Sequence, residues 1–181
     1  MKLDKVAGSK NDEFYTPAYA ITPLLPHLKP NSHVWCPFDE PESLYVQMLK
    51  AAGHKVTATH IRTGQDFFTT EPPAGVDCIV SNPPYSLKTD VLERLFTLGH
   101  PFAMLVGVVG LFESQRRFEM FRDNSFQMLY FNRRVAYLRD YGDEKPALNP
   151  PFSSAYVCHK VLPKPVVFEE IDKSNVRPLS D

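Results

Sequence analysis

Val76-Asp77-Cys78-Ile79-Val80-Ser81-Asn82-Pro83-Pro84-Tyr85 is the stretch on which the reading of this chain turns. Its first half is a nearly continuous apolar run, the pattern of a strand covered by helices on both faces. Two prolines then stiffen a turn and remove backbone donors. Residues 87–98 follow with Val91, Leu92, Leu95 and Leu98 along one side and Gly99 as the stop signal, the spacing of an amphipathic helix. A buried strand, a stiff turn and a helix in succession predict an α/β unit. Its turn lies at the carboxyl end of the strand, where open α/β sheets bind ligands.

The same rhythm extends outward. Residues 33–37 read as a strand, and Asp39-Glu40-Pro41 reads as a helix start with acids ahead of and inside the first turn. Leu44, Val46, Met48, Leu49 and Ala52 fit a partly buried helix ending at Gly53. Residues 55–61 alternate like a second strand, 101–109 read as a further buried strand, and 114–122 as a helix. Thereafter two strand-like runs, 126–131 and 154–162, bracket a polar stretch with no long helix between them. The prediction is an α/β fold: a mostly parallel sheet with an antiparallel hairpin at one edge and helices on both faces. Residues 1–30 form an N-terminal segment, 31–165 the main domain, and 166–181 a tail.

The 181 residues, 43% hydrophobic and 23% charged, suit one ordinary globular domain. No apolar run reaches the roughly 18 residues of a membrane span. The start, Met1-Lys2-Leu3-Asp4-Lys5, lacks the apolar stretch of a secretory signal. Cys36, Cys78 and Cys158 lie in apolar strand-like stretches, unpaired in count and without zinc-site spacing. A cytoplasmic protein without a metal site is the expectation. The net charge of −1 is low for a protein that grips duplex DNA unaided, since phosphate neutralisation dominates such affinity. Basic residues focused on one face, a weakly held substrate or a partner supplying the grip would each be compatible with it.

The loop Asn82-Pro83-Pro84-Tyr85 carries the chemistry. An amide oxygen and a backbone carbonyl held at one point make paired acceptors for an NH2 group. Accepting both hydrogens aims the nitrogen lone pair at an electrophile and stabilises the positive charge that grows during attack. Tyr85 offers a flat face for an extruded base.

On these residues the chain resembles the S-adenosyl-L-methionine-dependent amino-group methyltransferases, above all the small adenine-N6 DNA methyltransferases of phages and prophages. That family carries Asp or Asn, Pro-Pro and an aromatic residue after its fourth strand. The resemblance spans roughly residues 12–162 and implies a Rossmann-like methyltransferase sheet. It implies that Asn82, Pro83, Pro84 and Tyr85 are catalytic, with Asn82 also bordering the cofactor. Glu13-Phe14-Tyr15-Thr16-Pro17 resembles the family's N-terminal cofactor segment, so Tyr15, Thr16 and Pro17 would lie against the methionine part. In Asp66-Phe67-Phe68, Asp66 would meet the cofactor's adenine amino group and Phe67 would pack on its ring. In Pro151-Phe152-Ser153-Ser154-Ala155-Tyr156, Phe152 would help hold the target base. If the chain is phage-encoded, its setting is the bacterial host cytoplasm.

The family's first strand ends in an acid-Pro-aromatic turn followed by a glycine pair. Here the stretch is Trp35-Cys36-Pro37-Phe38-Asp39-Glu40-Pro41-Glu42-Ser43. Pro37 and Phe38 are kept, the acid is displaced to Asp39 or Glu40, and the glycines are absent. Side chains with a Cβ cannot follow every glycine path, so the loop takes another course. Either it still binds cofactor, with Pro37 and Asp39 in the pocket, or the protein is a non-catalytic relative. At the end of the second strand only His60 stands where a ribose-binding acid is expected, and it reads as structural. No insertion is long enough for a separate recognition domain. Residues 132–141, with Arg133 and Arg134 to meet phosphate, are the candidate DNA contact, with single-stranded DNA or a flipped adenine as substrate. A homodimer or partner protein could add specificity. Cytosine N4, adenine in RNA and a protein glutamine amide remain chemically open substrates.

Overall fold

The computed structural model describes residues 13–178. The first twelve residues of the N-terminal segment and the last three of the tail lie outside it. Seven strands form one sheet: β1 (His33–Cys36), β2 (Lys55–Ala58), β3 (Cys78–Ser81), β4 (Phe102–Gly107), β5 (Gln127–Phe131), β6 (Ser154–His159) and β7 (Val166–Glu169). Their order is β2-β1-β3-β4-β6-β5-β7. The first four run parallel, while β6 is antiparallel to both β4 and β5. This is a Rossmann-like α/β sheet, mostly parallel, with helices on both faces.

Strict alternation explains how it is covered. Val34, Cys36, Cys78, Val80, Ala103, Leu105, Tyr156 and Cys158 point to one apolar layer. Trp35, Ile79, Phe102, Met104, Val106, Ala155 and Val157 point to the other. Neighbours in a strand face opposite ways, so strands buried along their whole length feed both cores. The first layer is closed by α1 (Ala18–Ile21) and α2 (Leu44–Ala51), the second by α3 (Lys88–Leu98) and α4 (Gln115–Asp123). Val91, Leu92 and Leu95 of α3 are fully buried, each contributing about 1.5–3 kcal/mol of transfer free energy. Gly99 ends α3 at φ 73°, a left-handed conformation that suits glycine.

Three boundaries differ from the sequence reading. Helix α2 starts at Ser43, whose hydroxyl accepts from the Tyr45 amide, rather than at Asp39. The Asp39 carboxylate is committed elsewhere, as described below. Strand β2 ends at Ala58 rather than at residue 61, where the chain already runs into a 3-10 turn at Ile61–Thr63 and then a turn at Asp66. The stretch 166–181, set apart in sequence as a tail, supplies β7, which pairs in parallel with β5.

The chain leaves β1 toward β2 on one side and returns to β3 on the other. That reversal opens a crevice at the carboxyl ends of β1 and β3, bounded by the loops that begin at Pro37 and Asn82.

Candidate active site

A cavity of about 930 Å3 fills this crevice. Its size is at the upper end of the range for small-molecule and cofactor sites. Tyr15, Thr16, Pro37, Asp39, Asp66, Phe67, Asn82, Pro83 and Pro84 all line it. Residues from four separated stretches of chain therefore meet in one cavity. Pro17, Tyr85, Phe152, Arg133 and Arg134 do not line it. Pro17 instead caps the N-terminus of α1.

Asn82 follows directly from the buried end of β3. Its Nδ2 donates to the Phe14 carbonyl at 2.7 Å and to Thr16 Oγ1 at 3.2 Å. Its Oδ1 is buried and has no hydrogen-bond partner among the described residues. A buried acceptor without a donor costs about 1–3 kcal/mol, so it marks a place where a donor is wanted. Pro83 and Pro84 have no amide hydrogen to compete for it.

The loop after β1 manages without glycine. None of residues 37–43 takes a positive φ. Asp39 is 7% exposed, and its two oxygens accept from Ser43 Oγ and Ser81 Oγ, each at 2.5 Å. Its backbone N–H bonds to the Thr59 carbonyl. One carboxylate thus ties the loop to the start of α2 and to the residue before Asn82. Burial raises the Asp39 pKa to about 6, although both serine hydrogen bonds work against the rise.

Around the cavity mouth stands a charged cluster that the sequence did not disclose. Arg62 pairs with Glu13 and with Glu40, and donates to the Tyr15 hydroxyl at 3.2 Å. Tyr15 exchanges backbone hydrogen bonds with Leu138 and packs on Tyr141, ring centroids 4.3 Å apart. His60 Nδ1 accepts from the Arg62 amide at 3.0 Å, so that nitrogen carries no proton. Its 3.6 Å approach to Glu40 is therefore a polar contact rather than an ion pair. Burial lowers the His60 pKa despite both glutamates, which agrees. Glu13 and Glu40, brought from other segments, stand around His60 just past the end of β2.

At the far side, Asp66 Oδ1 accepts from the Phe68 amide at 3.0 Å, closing its own turn. Phe67 is 2% exposed and packs on Trp35 and Phe38, with the Arg94 guanidinium 5.5 Å above its ring. Phe67 is thus both core and cavity wall. Arg94, whose Nε is buried without a partner among the described residues, is a lining residue that no motif pointed to.

Tyr85 faces away from the cavity into a box of aromatic rings. Phe14 lies 4.8 Å and Phe152 5.0 Å from it, both edge-on. A base sandwiched between Tyr85 and Phe152 would need about 7 Å, two van der Waals contacts of about 3.5 Å. The slot expected between them is closed by these rings. The Tyr85 hydroxyl donates to Tyr137 at 2.6 Å, and Tyr137 to Ser154 Oγ at 2.8 Å. Gly107 makes the arrangement fit: a Cβ there would come within 2.9 Å of the Phe152 ring.

The stretch 132–141 is largely an anchor. Val135, Ala136, Tyr137 and Leu138 are buried, and the Tyr19 hydroxyl bridges the Ala136 carbonyl and amide. Arg133 and Arg134 are exposed just before it, outside the cavity.

Among known proteins, the chain has no match to any family profile or to any curated sequence. One solved structure, a Thermoplasma acidophilum protein described provisionally as a methyltransferase, aligns at 12% identity with a TM-score of 0.41. The alignment covers 80% of this chain and 73% of that one. No helix among the described residues is long and apolar enough to cross a membrane.

Proposed function

We propose that this protein binds S-adenosyl-L-methionine and transfers its methyl group to the exocyclic amino nitrogen of adenine in DNA. The observation that carries the reading is the Asn82 side chain. Its Oδ1 is a buried acceptor without a donor, its orientation is set by two bonds from Nδ2, and it stands at the carboxyl end of β3 beside a cavity of about 930 Å3. An NH2 group is the ligand that such an acceptor, with the Pro83 carbonyl, suits best.

The cavity chemistry fits the cofactor. Its lining holds the carboxylates of Glu13, Asp39, Asp66, Asp90 and Glu93 against the guanidiniums of Arg62 and Arg94. Arg116 pairs with Asp90 and Glu93 from outside the lining, so five acids meet three guanidiniums, an excess that still favours a cation such as a sulfonium. The cofactor supplies an electrophilic methyl carbon. Tyr15, Thr16 and Asp39 would border its methionine end, Asp66 and Phe67 its adenine end. The chain's part is to hold the target amino group on Asn82 with its lone pair aimed into the cavity. No strong base is needed, because the amino proton becomes acidic as the nitrogen is alkylated.

DNA is the preferred substrate by resemblance to the phage enzymes. Arg133, Arg134 and other exposed cations would meet phosphate, and a second copy or a partner protein would add grip. The setting would be the cytoplasm of a bacterial host. Base entry requires the Phe14 ring to swing off Tyr85. That closed slot is the one observation favouring a second reading, an adenosine-binding protein without catalysis. Calorimetry with S-adenosyl-L-methionine, followed by labelled transfer to DNA, RNA and protein, separates the readings. Saturable binding and label in adenine N6 are expected. Binding without transfer selects the second reading, and no binding at millimolar cofactor removes both.

A further inference from the structure

The segment 13–16 does more than border the cavity. An Asn side chain can present either its oxygen or its NH2 group outward, and a half-turn about its last bond exchanges them. At Asn82 the choice is made by the N-terminal segment. The Phe14 carbonyl at 2.7 Å can only accept, so it must face Nδ2. The Thr16 hydroxyl, at 3.2 Å, takes the second amide hydrogen. The segment is itself tied down, through the two-way Tyr15–Leu138 bridge, the Ala18 amide on the Val176 carbonyl and the Glu13–Arg62 pair. With both hydrogens taken, Oδ1 is left as a dedicated acceptor.

We propose that Phe14 and Thr16 are positioning residues for the Asn82 amide, and that their two acceptors make an amide rather than a carboxylate the required group at position 82. This rests on the methyl-transfer reading for its catalytic consequence but not for its structural one. Where Asp and Asn both offer an acceptor to the substrate, only Asn also offers the two donors that this segment demands. An aspartate here would set a carboxylate oxygen against the Phe14 carbonyl in a buried place. Two acceptors without a hydrogen between them repel, and the site would favour the protonated acid, which restores one donor.

Asn82→Asp therefore gains a pH dependence on top of the parent's own. The other titratable groups lining the cavity are Glu13, Tyr15, Asp39, Tyr45, His60, Arg62, Asp66, Asp90, Glu93, Arg94 and Tyr141. All are shared by the two proteins, so the variant-minus-parent difference isolates position 82. The sign is fixed by the raised native-state affinity for the proton. The variant is least impaired near pH 4, and its deficit grows as pH rises through the native value.

The test is thermal melting of parent and Asn82→Asp between about pH 5 and about pH 8, with methyl transfer in the same buffers. The gap in melting midpoint should widen by at least about 3 °C across that range. Transfer by the variant should fall at least about tenfold relative to the parent as pH rises. Midpoints running parallel at every pH would overturn the proposal. Should the variant not fold, a 15N spectrum of the parent decides. The Asn82 side-chain NH2 pair, identified by its loss in Asn82→Ala, should be protected from exchange, and free exchange would overturn the proposal. A widening gap in a parent that neither binds cofactor nor transfers methyl would keep the positioning role and discard the enzymatic reading.

Discussion

The two loops that bound the cavity are built on opposite principles. The loop after β3 is held by its own covalent chemistry. Pro83 and Pro84 limit its backbone, and it passes directly into α3. The loop after β1 has no such stiffness and no glycine to tighten it. It is held by one buried carboxylate that accepts from Ser43 and Ser81. The first loop sets its own backbone path and takes only the direction of the Asn82 amide from the N-terminal segment, whereas the second owes its whole shape to contacts across the sheet. They are also joined, because Ser81 immediately precedes Asn82.

The largest effect should come from the stiff loop. Asn82→Ala is expected to lower methyl transfer by about 10²–10³-fold, with calorimetric cofactor affinity changed by less than about threefold. Equal loss of both would mean that the loop needs Asn82 for its shape, which breaks the contrast. In the other loop, Asp39→Asn acts on stability. The native pKa of about 6 lies above the ordinary 3.8. The stability contributed by this group is therefore fully present below about pH 4 and lost as pH rises to about 6. Relative to the parent, Asp39→Asn should gain about 2–3 kcal/mol over that window, read from urea titrations at stepped pH. A flat difference would remove Asp39 as the buried tie.

Two smaller changes sharpen the picture around Tyr85. Gly107→Ala forces a methyl against the Phe152 ring and should cost about 1–3 kcal/mol in unfolding free energy. No cost would mean that the aromatic box is loose. Phe14→Ala should uncover the Tyr85 face and tighten binding of adenine-bearing single strands severalfold, the order of one stacking contact, read by fluorescence anisotropy. Weaker binding would make Phe14 a wall of the base site rather than its occupant.

Much of this was legible from residue order. Continuous apolar runs such as 76–80 announced strands buried on both faces, and the spacing of Val91, Leu92 and Leu95 announced α3. The apolar run before it places the Asn-Pro-Pro-Tyr turn at a strand end. The helix start at Asp39 was misread because an acid before a proline is a local helix signal, while the true role of Asp39 is set by serines 4 and 42 positions away. Arg62 and Glu13, 49 positions apart, carried no joint signal. Tyr137 sat in a polar stretch whose buried centre only packing could reveal.

By itself, then, the amino-acid order determined the sheet, its two apolar layers and the site of the stiff turn, since hydrophobic period and proline geometry act between near neighbours. The direction of the Asn82 amide, the path of the glycine-free loop and the closing of the Tyr85 slot were decided by tertiary structure. Each depends on a hydrogen bond or ring contact between segments far apart in the chain, and such partners are specified only when folding brings them together.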